Sequence, residues 1–198
     1  MPSIGHVVVG LAAGKLHAGA ERPRLGPTLY FTALATFPDA DVLARTLGAQ
    51  AGSPWLHRGA LHSLLAAAVV ALGSALLLDG LGRSVSRLAA TALVVAASHG
   101  ALDAFTGGGG GVMFLWPWST ERFLAPWHLV PAAPMGAHLL SIRGAAVMLR
   151  ELALLSPLVL YAVWPSRSEP TPWPPLPHRG SEPSKSLLPL PHRGRGLG

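Results

Sequence analysis

A chain of 198 residues and 20.5 kDa is long enough for one domain of ordinary size. Half of it is hydrophobic and only 12% is charged, at a mean hydropathy of +0.42, whereas soluble domains carry about 25% charged residues; this argues against an ordinary soluble enzyme. The net charge of +6 does not mark a nucleic-acid binder either: five of the fifteen basic residues (Arg167, Arg179, Lys185, Arg193 and Arg195) lie in the C-terminal tail, and the others stand singly, as charges flanking membrane helices do.

In chain order, two short apolar stretches come first, from Ile4 to about Ala18 and from Leu25 to Phe37. Each is short for a full crossing and reads as a tilted, leaning or re-entrant segment. The first lacks a basic leader and is interrupted by His6, so it reads as a retained helix and not as a cleaved signal. The strongest span follows, Ala60 to Leu78, near the ~20 residues that cross a hydrocarbon core. A second covers Val85 to Phe105. Residues 107–144 hold five consecutive Gly, three Trp and four Pro, a long loop and no span. A third span is expected from Ala145 to Trp164, weakened by Arg150 and Glu151. After Trp164 the composition turns to Pro, Ser, Arg and Gly, and PLPHRG occurs twice. The reading is a membrane-embedded domain over 1–165 and a disordered tail over 166–198, the latter including His178 and His192. The fold expected is all-α: a polytopic transmembrane bundle of about four to five membrane segments with a long Gly/Trp/Pro-rich loop.

If the segments alternate in direction, the ionisable residues fall into one place. His6 opens the first segment, Asp39 and Asp41 close the second, His57 and His62 open the third, and His99 and Asp103 close the fourth. Antiparallel traversal puts all seven on one side of the membrane, with Asp79 at the opposite ends. His99 and Asp103 are i,i+4 on one helix face. His57 and His62 are about 140° apart on a helix, so His57 is expected before the helix and His62 in its first turn. Pro38 ends the second helix and turns the Asp39 and Asp41 carboxylates to the same level.

These residue types at one set of ends suit a divalent metal. With no Cys in the chain, a metal must be held by imidazole and carboxylate. Zinc is favoured, with manganese or iron as alternatives. A bound ion acidifies its water toward a pKa of ~7. Seven ligands suffice for two metals, or for one metal with supporting carboxylates. The bland alternative, His residues that cap helices or bond across the bundle, fits any one of them better than the set, because buried ionisable groups in membrane helices are costly and usually functional.

The blocks Pro38-Asp39-Ala40-Asp41, His57-Arg58-Gly59-Ala60-Leu61-His62-Ser63 and Ser98-His99-Gly100-Ala101-Leu102-Asp103, with His6 and the later Leu115-Trp116-Pro117-Trp118, resemble the YdjM family over about residues 1–165. Its members are described as membrane-bound, metal-dependent hydrolases, some under the LexA SOS repressor. The resemblance implies a bacterial inner-membrane hydrolase with the quoted His and Asp positions as its metal site. The five Gly after Thr106 depart from the family's pattern and predict a mobile lead into the Trp-Pro block.

Around this set, Arg58 suits an anionic oxygen of a phosphoester or carboxylate, and an uncoordinated carboxylate, Asp41 above all, suits proton acceptance. Glu121 and His128 are secondary candidates for completing the site or acting as base. Ser63 is a weak candidate for orienting substrate, and Thr106 reads as the end of its helix. Trp116, Trp118 and Trp127 read as an interfacial belt before a lipid pocket; Gly10 and Gly14 form a GxxxG spacing; His17 and His138 are unassigned. On the side opposite the cluster, Lys15, Arg22, Arg24, Arg83 and Arg87 sit in two short connections, which predicts a cytoplasmic opposite face and a metal site toward the exterior. The function expected is hydrolysis of an ester or phosphoester, with the lipid bilayer and a small-molecule or lipid substrate as partners. The alternative is a non-catalytic structural or transport metal site. No oligomeric state follows from the sequence.

Overall fold

The computed structural model describes residues 4–18, 25–79, 85–108, 110–134 and 136–165. The expected tail at 166–198 lies outside the described residues, as do Arg22, Arg24 and Arg83 of the orientation argument. Among the described residues the protein is all-helical, with no strand. The helices are α1 (Ile4–Ala18), α2 (Leu25–Thr36), α3 (Val42–Thr46), α4 (Leu64–Asp79), α5 (Val85–Ala104), α6 (Ile142–Leu154) and α7 (Ser156–Val163), with short 3-10 turns at Phe37–Asp41, Ala60–His62 and Gly136–Leu140.

Small residues let the helices approach closely. A Cβ at Gly10 would stand 2.4 Å from Thr32 Cα, and one at Gly14 would stand 2.6 Å from Thr28 Cα. The GxxxG spacing is thus the surface on which α1 meets α2 antiparallel. Ala67, Ala71 and Ala75 form a fully buried row at i,i+4 spacing on α4, and Leu88, Ala92, Val95 and Ala96 of α5 share one core with them and with Phe31, Leu34 and Ala35 of α2. Outward, the same helices carry large apolar side chains: Leu29, Val69, Leu72, Leu77 and Val94 are all exposed. Small residues inside and Leu and Val outside is the pattern of helices solvated by hydrocarbon. Polar ties are few. The Tyr30 hydroxyl meets Ser74 Oγ at 2.7 Å between α2 and α4, and Lys15 Nζ at the end of α1 donates to the terminal carbonyls of α7 at Tyr161 and Trp164.

The spans differ from expectation in two places. Among the described residues, only α5 is by itself long and apolar enough to cross a membrane; α6 and α7 qualify only when taken together, while α1 and α4 are shorter apolar helices. The segment expected to begin at Ala60 enters its α-helix only at Leu64. The Ser63 side chain accepts from Ala66 N at 3.1 Å, and the three residues before it form a 3-10 turn closed by Ser63 N to Ala60 O at 3.1 Å. The segment expected to run unbroken from Ala145 to Trp164 bends by 76° between α6 and α7. Pro157 in the first turn of α7 has no N–H to give the preceding turn, and its ring clashes with that turn's carbonyl.

The long loop is ordered against the bundle. Val112 and Phe123 exchange backbone bonds at 2.8 and 2.9 Å, Gly107 N reaches Val130 O at 2.8 Å, Met113 N reaches Arg58 O at 3.0 Å, and Ala125 N reaches Ala104 O at 3.0 Å. The described part of the Gly run is held from both sides, Gly108 O by Arg58 Nη1 and Gly111 O by Arg122 Nη1.

Replacing Gly10 by Val should lower stability by about 1–3 kcal/mol, since the new side chain meets backbone and not a movable side chain. Gly73 of α4 has open space at its Cβ position, so Gly73→Ala should hold or raise stability, by up to ~1 kcal/mol. Thermal unfolding in detergent measures both; equal effects at the two sites would contradict the packing described.

Candidate metal centre

The seven residues expected at one set of helix ends are brought together. After α2, Pro38 starts the 3-10 turn that carries Asp39 and Asp41. Residues 47–59 then return the chain to His57, Arg58 and the Ala60–His62 turn. Gly100 of α5 lets that turn close on the helix, because a Cβ there would stand 2.8 Å from His62 O; His99 and Asp103 flank this contact. Arg58 holds the strained conformation of the region, a φ of +65°, which costs of order 1–3 kcal/mol and survives only where surroundings over-determine it. They do so here: Arg58 N donates to Asp41 Oδ2 at 3.1 Å, Arg58 O accepts from Met113, and the guanidinium meets Asp103 Oδ2 at 3.2 Å and Gly108 O at 2.6 Å.

At the centre, His99 Nε2 and His62 Nε2 face each other at 3.1 Å. His99 Nδ1 lies 2.7 Å from the Ala35 carbonyl, which only accepts, so Nδ1 carries the proton. His62 Nδ1 lies 3.0 Å from Asp41 Oδ2, a charge contact outside hydrogen-bond geometry. With His99 protonated at Nδ1, its Nε2 is a bare lone pair facing His62 Nε2. Two carboxylates join them: Asp103 Oδ2 is 3.4 Å from His62 Nε2, and Asp39 Oδ1 is 3.4 Å from His99 Nε2. One donor atom from each of Asp39, His62, His99 and Asp103 lies within 4.8 Å of the other three. A tetrahedral shell with bonds of ~2.0–2.1 Å has donors about 3.3–3.4 Å apart, so the donor set and spacing fit a divalent first-row ion.

The remaining residues stand behind this set. Asp41 divides its carboxylate between His57 Nδ1 at 2.8 Å and His62 Nδ1, the carboxylate–histidine arrangement that orients metal-binding imidazoles. Asp41, His57 and His62 could themselves hold an ion. His57 is the more open ring, about a third exposed. His6 is buried, stacked on His99 with centroids 3.6 Å apart and planes at 17°, and its Nε2 is 3.6 Å from Asp103 Oδ1. Neither of its ring nitrogens has a hydrogen-bond partner.

Burial pushes the carboxyls of Asp39 and Asp41 up, and hydrogen bonds from His99, and from His57 and His62, more than reverse this, leaving both below the usual carboxylate range. Burial pushes His62 down, but its bonds to Asp103 and Asp41 outweigh it and hold the ring above its ordinary value. A proton or a metal ion thus competes for the gap between the two Nε2 atoms.

The secondary candidates lie elsewhere. Glu121 and His128 are exposed in the long loop and belong to neither group that could hold an ion. Ser63 caps α4, and Thr106 closes α5 through Leu102 O at 3.2 Å. His17, at the far end of α1, packs on Phe31, and His138 sits in the Gly136–Leu140 turn. One buried carboxylate escaped the sequence reading: Glu151 of α6 is fully buried and accepts from Gly5 N at 3.3 Å. Its signal was its place with Gly144 and Val147 on one face of an otherwise apolar stretch.

An all-helical bundle, apolar outward and carrying buried His and Asp at one set of helix ends, is the build of an integral membrane protein. The chain belongs to the YdjM inner membrane protein family, whose model matches residues 1–169. Inner membrane protein YbcI of Escherichia coli (strain K12) is 42% identical over 142 residues, which cover 68% of this chain and 78% of that one. No solved structure matches. The protein is accordingly an inner membrane protein associated with the lipid bilayer.

Because His62 must lose its proton to bind metal, the apparent metal affinity should fall about tenfold per pH unit below the His62 pKa, with onset above 6.5, the ordinary histidine value. Asp41→Asn removes one of the two partners holding that pKa up and should move the onset toward acid. Isothermal titration with Zn²⁺ across pH measures this; an affinity flat through the neutral range would refute the competition.

Proposed function

We propose that the protein is a membrane-bound, metal-dependent hydrolase of an ester or phosphoester, lipid-linked and met at the membrane interface. The observation that carries this reading is the convergence of His62 Nε2 and His99 Nε2, 3.1 Å apart, with a carboxylate oxygen of Asp103 and of Asp39 each 3.4 Å from one of them. When bound, a divalent ion, zinc by preference and otherwise manganese or iron, supplies Lewis-acid polarisation of the substrate and a water acidified toward neutrality.

The chain's own residues take the other tasks. Arg58, anchored on Asp103 and Gly108 O, orients the anionic group of the substrate. Asp41 and His57, bonded at 2.8 Å, accept the proton released by the attacking water; the partial exposure of His57 supports its part in this. His6 backs Asp103 and His99. The ligands lie at the ends of α2 and α5 and in the turn before α4, which favours chemistry at the interface over a transport site midway across the bilayer.

In this reading α1, α2, α4 and α5 each traverse and the bent α6–α7 pair forms a fifth segment, with the shorter helices at about 1.5 Å per residue accommodated by local thinning. The tail after residue 165 takes no part.

Purified wild type should hold stoichiometric metal by elemental analysis, and His62→Ala and His99→Ala should lose it while remaining folded. Loaded wild type should then cleave an ester or phosphoester in mixed micelles, with Arg58→Ala reducing the rate and leaving metal content intact. Wild type that neither retains nor takes up metal would overturn the reading. For orientation, the absence of Cys allows single-cysteine labelling at Ala51→Cys and Gly82→Cys in intact cells. An impermeant reagent should reach position 51 and not position 82; the reverse would turn the centre toward the cytoplasm.

A further inference from the structure

We propose that Glu151 is a positioning residue of the metal centre, acting on His6 through the first turn of α1; this rests on the metal-centre reading above. Glu151 is fully buried on α6, one face of which, Gly144, Val147 and Glu151, turns inward. A lone carboxylate in such a place costs several kcal/mol unless it is bonded. Among the described residues its bond is from the amide of Gly5, 3.3 Å from Oε2, while Oε1 has no hydrogen-bond partner. Gly5 belongs to the first turn of α1, whose N–H groups find no partner within their own helix. A negative group there is favoured by both the free donors and the helix dipole.

The residue after Gly5 is His6. Its ring lies flat on His99 and its Nε2 faces Asp103 Oδ1, yet neither of its nitrogens makes a hydrogen bond. With no hydrogen bond to fix the ring, its position depends on the stack and on the α1 backbone that carries it. The described tie on the first turn of that backbone that comes from outside α1 and involves a side chain is the Glu151 carboxylate. The tie joins a helix after the long loop to the beginning of the chain, and so fixes His6 against two residues of the metal-binding set, His99 and Asp103.

The test uses Glu151→Leu and Glu151→Gln in the full-length protein. Leu fills the volume without a buried charge and is well suited to the apolar interior, so it should preserve or raise the thermal midpoint of metal-free protein. Gln keeps a carbonyl oxygen for the Gly5 amide. With Co²⁺ and Zn²⁺ as probes, Glu151→Leu should bind roughly 10–100-fold more weakly, with an altered Co²⁺ visible spectrum and a smaller rise in thermal midpoint on adding metal. Glu151→Gln should restore affinity and spectrum toward wild type. Wild-type affinity and spectrum in Glu151→Leu, or equal losses of midpoint with and without metal, would overturn the proposal and make Glu151 a packing element. Equal weakening in both variants would overturn action through the Gly5 bond in favour of charge alone. Wild type that binds neither ion would remove the metal centre itself, and this inference with it.

Discussion

Two imidazoles that face each other across 3.1 Å are the constraint from which the rest of the site follows. His62 and His99 are each oriented by an acceptor behind the ring, Asp41 in one case and the Ala35 carbonyl in the other. The Ala35 carbonyl determines the His99 tautomer, which leaves its Nε2 lone pair 3.1 Å from His62 Nε2. The neighbouring oxygens of Asp39 and Asp103 add negative charge to the same space, so the arrangement is stable only with something positive inside it.

The bundle supplies the rigidity this needs by packing small residues inward. The contact of Gly10 and Gly14 with α2, and the alanine row of α4 against α5, bring helix backbones close enough for a carbonyl of α2 to accept from a histidine of α5. Ala35 and His99 are separated by 64 positions in the chain. Ala35 of α2 shares the core with Ala92, Val95 and Ala96 of α5, so a larger residue at that contact would move α2 from α5 and the acceptor from the ring. The packing of the apolar half and the chemistry of the polar end are one problem, because hydrocarbon-solvated helices have little besides close contact and a few polar ties to hold them in register.

Much of this was legible in the sequence because direction alternates between antiparallel helices. Position within each apolar segment was enough to put His6, Asp39, Asp41, His57, His62, His99 and Asp103 at one level. What position along a segment does not contain is the rotation of each side chain about its helix. The division between residues that face the central gap and those that support them, His57 and Asp41 above all, therefore emerged only with tertiary contacts. The same applies to Glu151, whose partner lies 146 positions away; hydropathy registered it as a flaw in a span. Pro157 was visible, but an averaged hydropathy hides a break between two apolar helices. The Ser63 hydroxyl serves the first turn of α4. A Ser at the boundary of a turn and a helix is drawn to the cap because the helix's first N–H groups have no other partner.

Charge bears on what the centre can hold. Asp39 and Asp41 are held ionised by the histidines around them, and Arg58 is the permanent cation that pairs with Asp103. With every imidazole neutral, the cluster carries two uncompensated negative charges at the end of an apolar bundle, where each costs several kcal/mol. One proton between His62 and His99 removes half of this. A single divalent ion would remove all of it, at the place where two imidazole nitrogens and two carboxylate oxygens converge. Metal binding there would be coupled to the release of any proton held between the two rings.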